Sequence, residues 1–150
     1  MISILFICHG NICRSPMAEY IFKKLIKDAG IDEYFEVDSA ATSREEIGND
    51  IYPPAMRCLI EHGIPFDMHS ARQITKQDVD YYDYIIAMED YNINNIERMF
   101  GQSYKFKRLL DFTDYPGNIS DPWYTGDFET AYAEIEKGCG ALLEKLSEEL

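Results

Sequence analysis

Apolar residues in this chain recur at two spacings, one of strands and one of helices. Ile2 to Ile7, interrupted only by Ser3, is a short continuous apolar run that reads as a buried strand. Met17, Ala18, Ile21, Phe22, Leu25 and Ile26 then repeat at helical spacing, on a helix that starts near Ser15 and ends at Gly30. Phe35 to Ser39 reads as a second strand, so strand, helix and strand make a right-handed parallel unit. Ala40 to Pro53 is a polar loop. A helix is expected from Pro54 to Ile60, stopped at Gly63, followed by an irregular stretch from Ile64 to Gln73. Thr75, with Asp78 three residues later, caps a short helix. Tyr84 to Met88 is a continuous run suited to a central strand, followed by a helix from about Asp90 to Phe100 that Gly101 stops. Tyr104 to Leu110 reads as a fourth strand. After a loop rich in Asp, Pro and Gly from Asp111 to Gly126, the last helix begins near Asp127. It carries Phe128, Ala131, Tyr132, Ile135, Cys139, Leu142, Leu143 and Leu146 on one face.

Four strands alternating with helices imply a three-layer α/β sandwich with a parallel sheet, in which ligands bind at the carboxyl ends of strands. The turn at the end of the first strand is Cys8-His9-Gly10-Asn11-Ile12-Cys13-Arg14-Ser15-Pro16. A tight loop entering a helix N-terminus turns successive N–H groups inward, where the macrodipole also favours negative charge. Gly10 and Asn11 are the residue types that most readily take left-handed backbone conformations. Arg14 offers a planar fork for two phosphate oxygens. The same positive surroundings suit a nucleophilic sulfur at Cys8.

The 150 residues suit one domain spanning 1–150, and eleven Tyr and eight Phe supply ample core. A net charge of −13 argues against nucleic acid and anionic membrane surfaces as partners. It also makes any attraction of an anionic substrate a local matter, and predicts that strongly acidic peptides are disfavoured. The N-terminal apolar run is too short for a signal peptide or membrane span, so a cytoplasmic location is expected. Cys8, Cys13, Cys58 and Cys139 show neither disulfide-framework nor zinc-ligand spacing, and neither His9 nor His62 has a sequence partner suggesting a metal. No cofactor and no metal are expected.

The Cys8 to Pro16 stretch resembles the active-site loop of the low-molecular-weight protein tyrosine phosphatases, whose signature is Cys, any residue, Gly-Asn-x-Cys-Arg-Ser-Pro. The resemblance runs from Ile4 to about Leu146 and implies the strand order 2-1-3-4. It implies that Cys8 is the nucleophile of a cysteinyl-phosphate reaction and that residues 9–14, namely His9, Gly10, Asn11, Ile12, Cys13 and Arg14, bind phosphate. Asp121-Pro122-Trp123-Tyr124 is similar to the Asp-Pro-aromatic segment carrying the family's general acid, which makes Asp121 acid and then base. Trp123 and Tyr124 become cleft walls. Ser15, explicable as a helix cap, gains a hydrogen bond to the departing thiolate. Cys13 can trap oxidised Cys8. Ser39 and His69 are expected to hydrogen-bond Asn11 and support the loop. The substrate implied is a phosphotyrosine protein or a small aryl phosphate, acted on by a monomer or weak homodimer. Glu45 departs from the pattern, since many relatives have an aromatic residue there, and Glu89 replaces a usual Asp with no evident effect. Two other readings are a thioredoxin-coupled arsenate reductase, which needs two further relay cysteines absent between Cys58 and Cys139, and an idle phosphate-binding module.

Overall fold

β1 (Ile2–Cys8) lies at the centre of the sheet with Ile4, Leu5, Phe6 and Ile7 wholly buried, which is why its sequence is apolar without alternation. In the computed structural model, which describes residues 1–150, the chain continues through α1 (Arg14–Asp28), β2 (Phe35–Ala41), α2 (Pro53–Glu61), α3 (Lys76–Tyr81), β3 (Tyr84–Ala87), α4 (Asp90–Phe100), β4 (Phe106–Arg108), α5 (Pro122–Thr125) and α6 (Phe128–Ser147). The four strands are all parallel, in the order β2-β1-β3-β4. Cys8 is level with Ala41 of β2, and Ile7 with Ala87 of β3, so three strands deliver their carboxyl ends to one edge.

Successive β1 residues serve opposite layers. Ile4, Phe6 and Cys8 join the larger core beneath α1, α2 and α6, where Phe22 packs between Phe6 and Phe35 at ring-centroid distances of 5.9 and 5.5 Å. Leu5 and Ile7 face the smaller core under α3 and α4, with Val79, Ile85 and Ile96. The predicted stripes are the buried faces: Met17, Ala18, Ile21, Phe22 and Ile26 on α1, and Ala131, Tyr132, Ile135, Cys139, Leu142 and Leu146 on α6. No helix is long and apolar enough to cross a membrane.

Several boundaries differ from expectation. β2 runs on to Ala41 because Ala40 and Ala41, small residues with little strand signal, pair with Ile7 and Cys8. β4 shortens to Phe106–Arg108, since Leu109–Phe112 coil into a 3-10 turn. The loop expected to be irregular from Asp111 to Gly126 contains α5, started by Asp121 as N-cap, whose carboxylate accepts the Trp123 N–H, with Pro122 in the first turn. Thr75 and Asp78 do form a reciprocal capping box on α3.

α6 approaches the 3-10 turn so closely that a Cβ on Gly138 would lie 2.5 Å from Leu109 Cγ. Gly138→Ala is therefore expected to lower stability by about 1–3 kcal/mol, through overpacking that exceeds the helix-propensity gain, read as a lower urea midpoint at unchanged slope.

Candidate active site

Carbonyl groups of the Cys8 to Arg14 loop point outward and are held by the surrounding chain. Cys8 O accepts from Thr42 N–H (2.9 Å), His9 O from Ser43 N–H (3.1 Å) and Ser43 hydroxyl (2.8 Å), and Ile12 O from Tyr52 N–H (2.9 Å). Asn11 O accepts from His69 Nε2 at 2.6 Å, which requires that ring nitrogen to carry the proton. With the carbonyls turned away, the N–H groups of His9, Gly10, Ile12 and Cys13 find no acceptor within the protein, and Asn11 N–H points at Cys8 Sγ (3.3 Å). Such a ring of free donors suits a tetrahedral oxyanion.

One residue shapes that ring. Asn11 is the only non-glycine with positive φ (59°), and its wholly buried side chain bonds on every side. Its Nδ2 donates to Ser15 Oγ (2.8 Å) and Ser39 Oγ (3.0 Å), while Oδ1 accepts from Arg72 N–H (3.3 Å). Because Asn11 donates to both hydroxyls, each can donate onward. Ser15 thereby directs its proton to Cys8 Sγ at 2.9 Å, and Ser39 donates to Glu19 Oε1 at 2.6 Å. Ser39 and His69 thus both reach Asn11, the histidine through the backbone carbonyl.

Two expectations about this loop change. Gly10 is not left-handed; it answers to space, since a Cβ there would lie 3.3 Å from Glu46 Cγ. Ser15 is not the helix cap. α1 begins at Arg14 with Cys13 as N-cap and no side-chain cap bond, because the Ser15 hydroxyl is committed to Cys8 and Asn11.

Arg14 is 2% exposed, an unusual position for a cation. Its Nη1 donates to Glu89 Oε2 (2.6 Å) and Ile119 O (2.9 Å), and its Nη2 lies 3.3 Å from Asp121 Oδ2. Burial alone would lower its pKa, but Cys8, Asp121 and Glu89 outweigh that and the guanidinium is held more firmly charged. Glu89, at the carboxyl end of β3, is thereby explained: it anchors the arginine and caps α4. Cys13 is pushed the other way. Burial, with Cys8 and Asp121 beside it, raises its thiol pKa well above the usual range and keeps it protonated.

Above the loop opens a cleft of about 370 Å³. Cys8, Arg14 and Asp121 line its depth, with Trp123, Tyr124, Tyr91, Glu45 and Glu46 around them. Trp123 packs on Tyr52 at 4.9 Å, while Tyr124 is 85% exposed. His9 faces this entrance, its Nε2 2.9 Å from Glu45 Oε2 and its ring 6.0 Å from Tyr91. Every sequence-derived site residue thus gathers at the carboxyl edge of the sheet, on or behind this cleft. Glu19, Tyr52, Arg72 and Tyr91 escaped sequence reading. Tyr91, two residues beyond Glu89 at a strand's carboxyl end, could have been found by position; Glu19 sits in a helix with nothing to distinguish it from a solvent-facing acid. His62, the C-cap of α2, has ligand-type neighbours in space that the sequence did not show, Cys58 and Glu129.

A family model described as low molecular weight phosphotyrosine protein phosphatase matches residues 3–150. The chain is 42% identical to the low molecular weight protein-tyrosine-phosphatase YfkJ of Bacillus subtilis, over 99% of this chain and 98% of that one. It is 45% identical to the human low molecular weight phosphotyrosine protein phosphatase, over 95% and 94%. The crystal structure of YfkJ superposes with a TM-score of 0.96, covering 99% of this chain and 96% of that one, and a phosphatase of Streptococcus pyogenes at 36% identity gives 0.88, covering 97% and 93%. Agreement of this extent, in sequence and in fold alike, makes the chain a member of the low molecular weight phosphotyrosine protein phosphatase family.

Proposed function

We propose that this protein hydrolyses phosphotyrosine in proteins, and small aryl phosphates, through a cysteinyl-phosphate intermediate. The observation that carries the reading is Cys8 Sγ at the base of a ring of free amides, with a serine hydroxyl 2.9 Å away and Arg14 beside it in the same cleft. The Cys8 thiolate attacks phosphorus in line. The free amides of His9, Gly10, Ile12 and Cys13 and the Arg14 guanidinium take the equatorial oxygens, while the Asn11 N–H stays on the sulfur. Asp121 Oδ2 rests near Arg14 Nη2; a bound phosphate dianion competes for that nitrogen, leaving the carboxyl group to protonate the departing tyrosine oxygen. Asp121 then draws a proton from water, which attacks phosphorus and expels Cys8, and the Ser15 hydroxyl bonds the sulfur as its negative charge returns.

The remaining roles follow from position. Asn11, Ser39 and His69 hold the loop, and Trp123 and Tyr124 flank the substrate ring. Cys13 guards the nucleophile: sulfenic acid at Cys8 condenses with the Cys13 thiol, forming a disulfide and releasing water. Reaction through a thiolate needs a reducing setting, which supports the cytoplasm. The core of β1 is shared by both helical layers, which supports one domain over 1–150. At the entrance Glu45 and Glu46 supply carboxylates, and this acidic rim supports a preference for phosphotyrosine flanked by basic residues.

Hydrolysis of p-nitrophenyl phosphate in the presence of a chelator is expected for the wild type and absent for Cys8→Ser; a wild type that binds vanadate without turnover would mark a binding module instead. Asp121→Asn is expected to slow hydrolysis by about 10²–10⁴, with a smaller loss as the leaving phenol becomes more acidic, a dependence that a merely structural residue does not produce. Asn11→Ala is expected to cost about 1–2 kcal/mol more stability than Asn11→Gly, because both lose the amide but only alanine resists positive φ, as chemical denaturation would measure. Between peptides with lysine or glutamate next to phosphotyrosine, kcat/KM favours lysine, and Glu45→Gln narrows that ratio by about two- to five-fold.

A further inference from the structure

Away from the cleft, α2 and the first turn of α6 bring together a thiol, an imidazole and a carboxylate. Cys58 and His62 are four residues apart and so share one face at the C-terminal end of α2, where His62 is the C-cap. Glu129 comes from the facing helix. Cys58 Sγ is 3.6 Å from Glu129 Oε1, His62 Nε2 is 2.7 Å from Glu129 Oε2, and the three ligand atoms lie within 4.8 Å of one another. The imidazole is fixed in direction by stacking on Tyr132, with centroids 3.8 Å apart and planes 10° from parallel, and the Tyr132 hydroxyl is itself held by Glu136.

We propose that Cys58, His62 and Glu129 form a binding site for a thiophilic divalent cation of the zinc class, separate from the catalytic cleft. In a tetrahedral zinc site, with metal–ligand distances of about 2.0–2.3 Å, sulfur and oxygen ligands lie about 3.6 Å apart and nitrogen and oxygen about 3.4 Å apart. Oε1 already has that spacing from the sulfur, while the imidazole bonds the other oxygen, Oε2. Turning the exposed Glu129 carboxylate brings one oxygen to both partners, the hydrogen bond giving way to the cation, from a starting set already within 4.8 Å. Thiolate, neutral imidazole and carboxylate together balance a charge of +2, and the thiol proton and any proton shared by His62 and Glu129 leave to solvent. Water fills the fourth position. The sulfur is at the buried floor, while the other two ligands are partly exposed and give the ion its entry. Soft and borderline ligands together favour zinc or cadmium over magnesium or calcium. Cys58 Sγ also lies 3.8 Å from Phe128 O, and the Phe128 ring packs on Tyr52, which packs on Trp123. A cation here would therefore tie α2 to α6 directly behind the wall of the cleft.

The test uses the full chain carrying Cys8→Ser, so that the catalytic thiol does not compete. Cadmium titration is followed by near-ultraviolet thiolate-to-cadmium absorption, and zinc stoichiometry by equilibrium dialysis. One equivalent is expected, with a raised thermal midpoint; Cys58→Ser abolishes the absorption and His62→Gln weakens binding by about tenfold or more. His62→Gln, at an exposed helix end, keeps the test informative if the buried Cys58→Ser fails to fold. Absorption unchanged by either substitution, or no equivalent bound, overturns the proposal.

Discussion

The site depends on the side chain of Asn11, held in a left-handed backbone conformation that costs an ordinary L-residue about 1–2 kcal/mol. Its amide offsets that cost with bonds to Ser15, Ser39 and the Arg72 backbone, and the reversed peptide lets neighbouring carbonyls face outward. From that single inversion follow the inward amides, the direction of the Ser15 proton and the position of Cys8. In the proposed reaction an oxyanion meets donors oriented before it arrives, so little reorganisation remains for the chemical step.

Charge at the site is local in the same way. The chain carries a net −13, yet its Cys8 to Arg14 loop holds a buried arginine between two carboxylates and a main-chain carbonyl. Removing one partner of such a buried charge commonly costs about 3–5 kcal/mol, so Glu89 and Arg14 hold each other in place. One arm of the guanidinium is spent on that anchorage, and the other lies 3.3 Å from the Asp121 carboxylate across the cleft.

Much of this was legible in the sequence because the information was local. The strand–loop–helix junction, the stripes of α1 and α6 and the Thr75 cap are written in spacings of a few residues. The site residues outside the loop were recognised through family resemblance. What remained hidden was long-range or small in signal. Ala40 and Ala41 extend β2 only because β1 lies beside them, and Leu109 leaves the strand for a turn against Gly138. Glu19 looks like any helical surface acid until Ser39, twenty residues on, donates to it. Glu89 had no readable purpose because its partner, Arg14, is seventy-five positions away.

The outward carbonyls of the Cys8 to Arg14 loop are held by Thr42, Ser43, Tyr52 and His69, four residues from the connection after β2 and beyond. A signature of nine consecutive residues therefore depends on partners that lie as far along the chain as His69. Grafted onto another strand–helix turn, those nine would carry Cys8 and Arg14 but not the scaffold that keeps the peptide planes turned. The transferable unit is the first half of the sheet with its crossing loops, and the nine-residue string is only the part of it that lines the cleft.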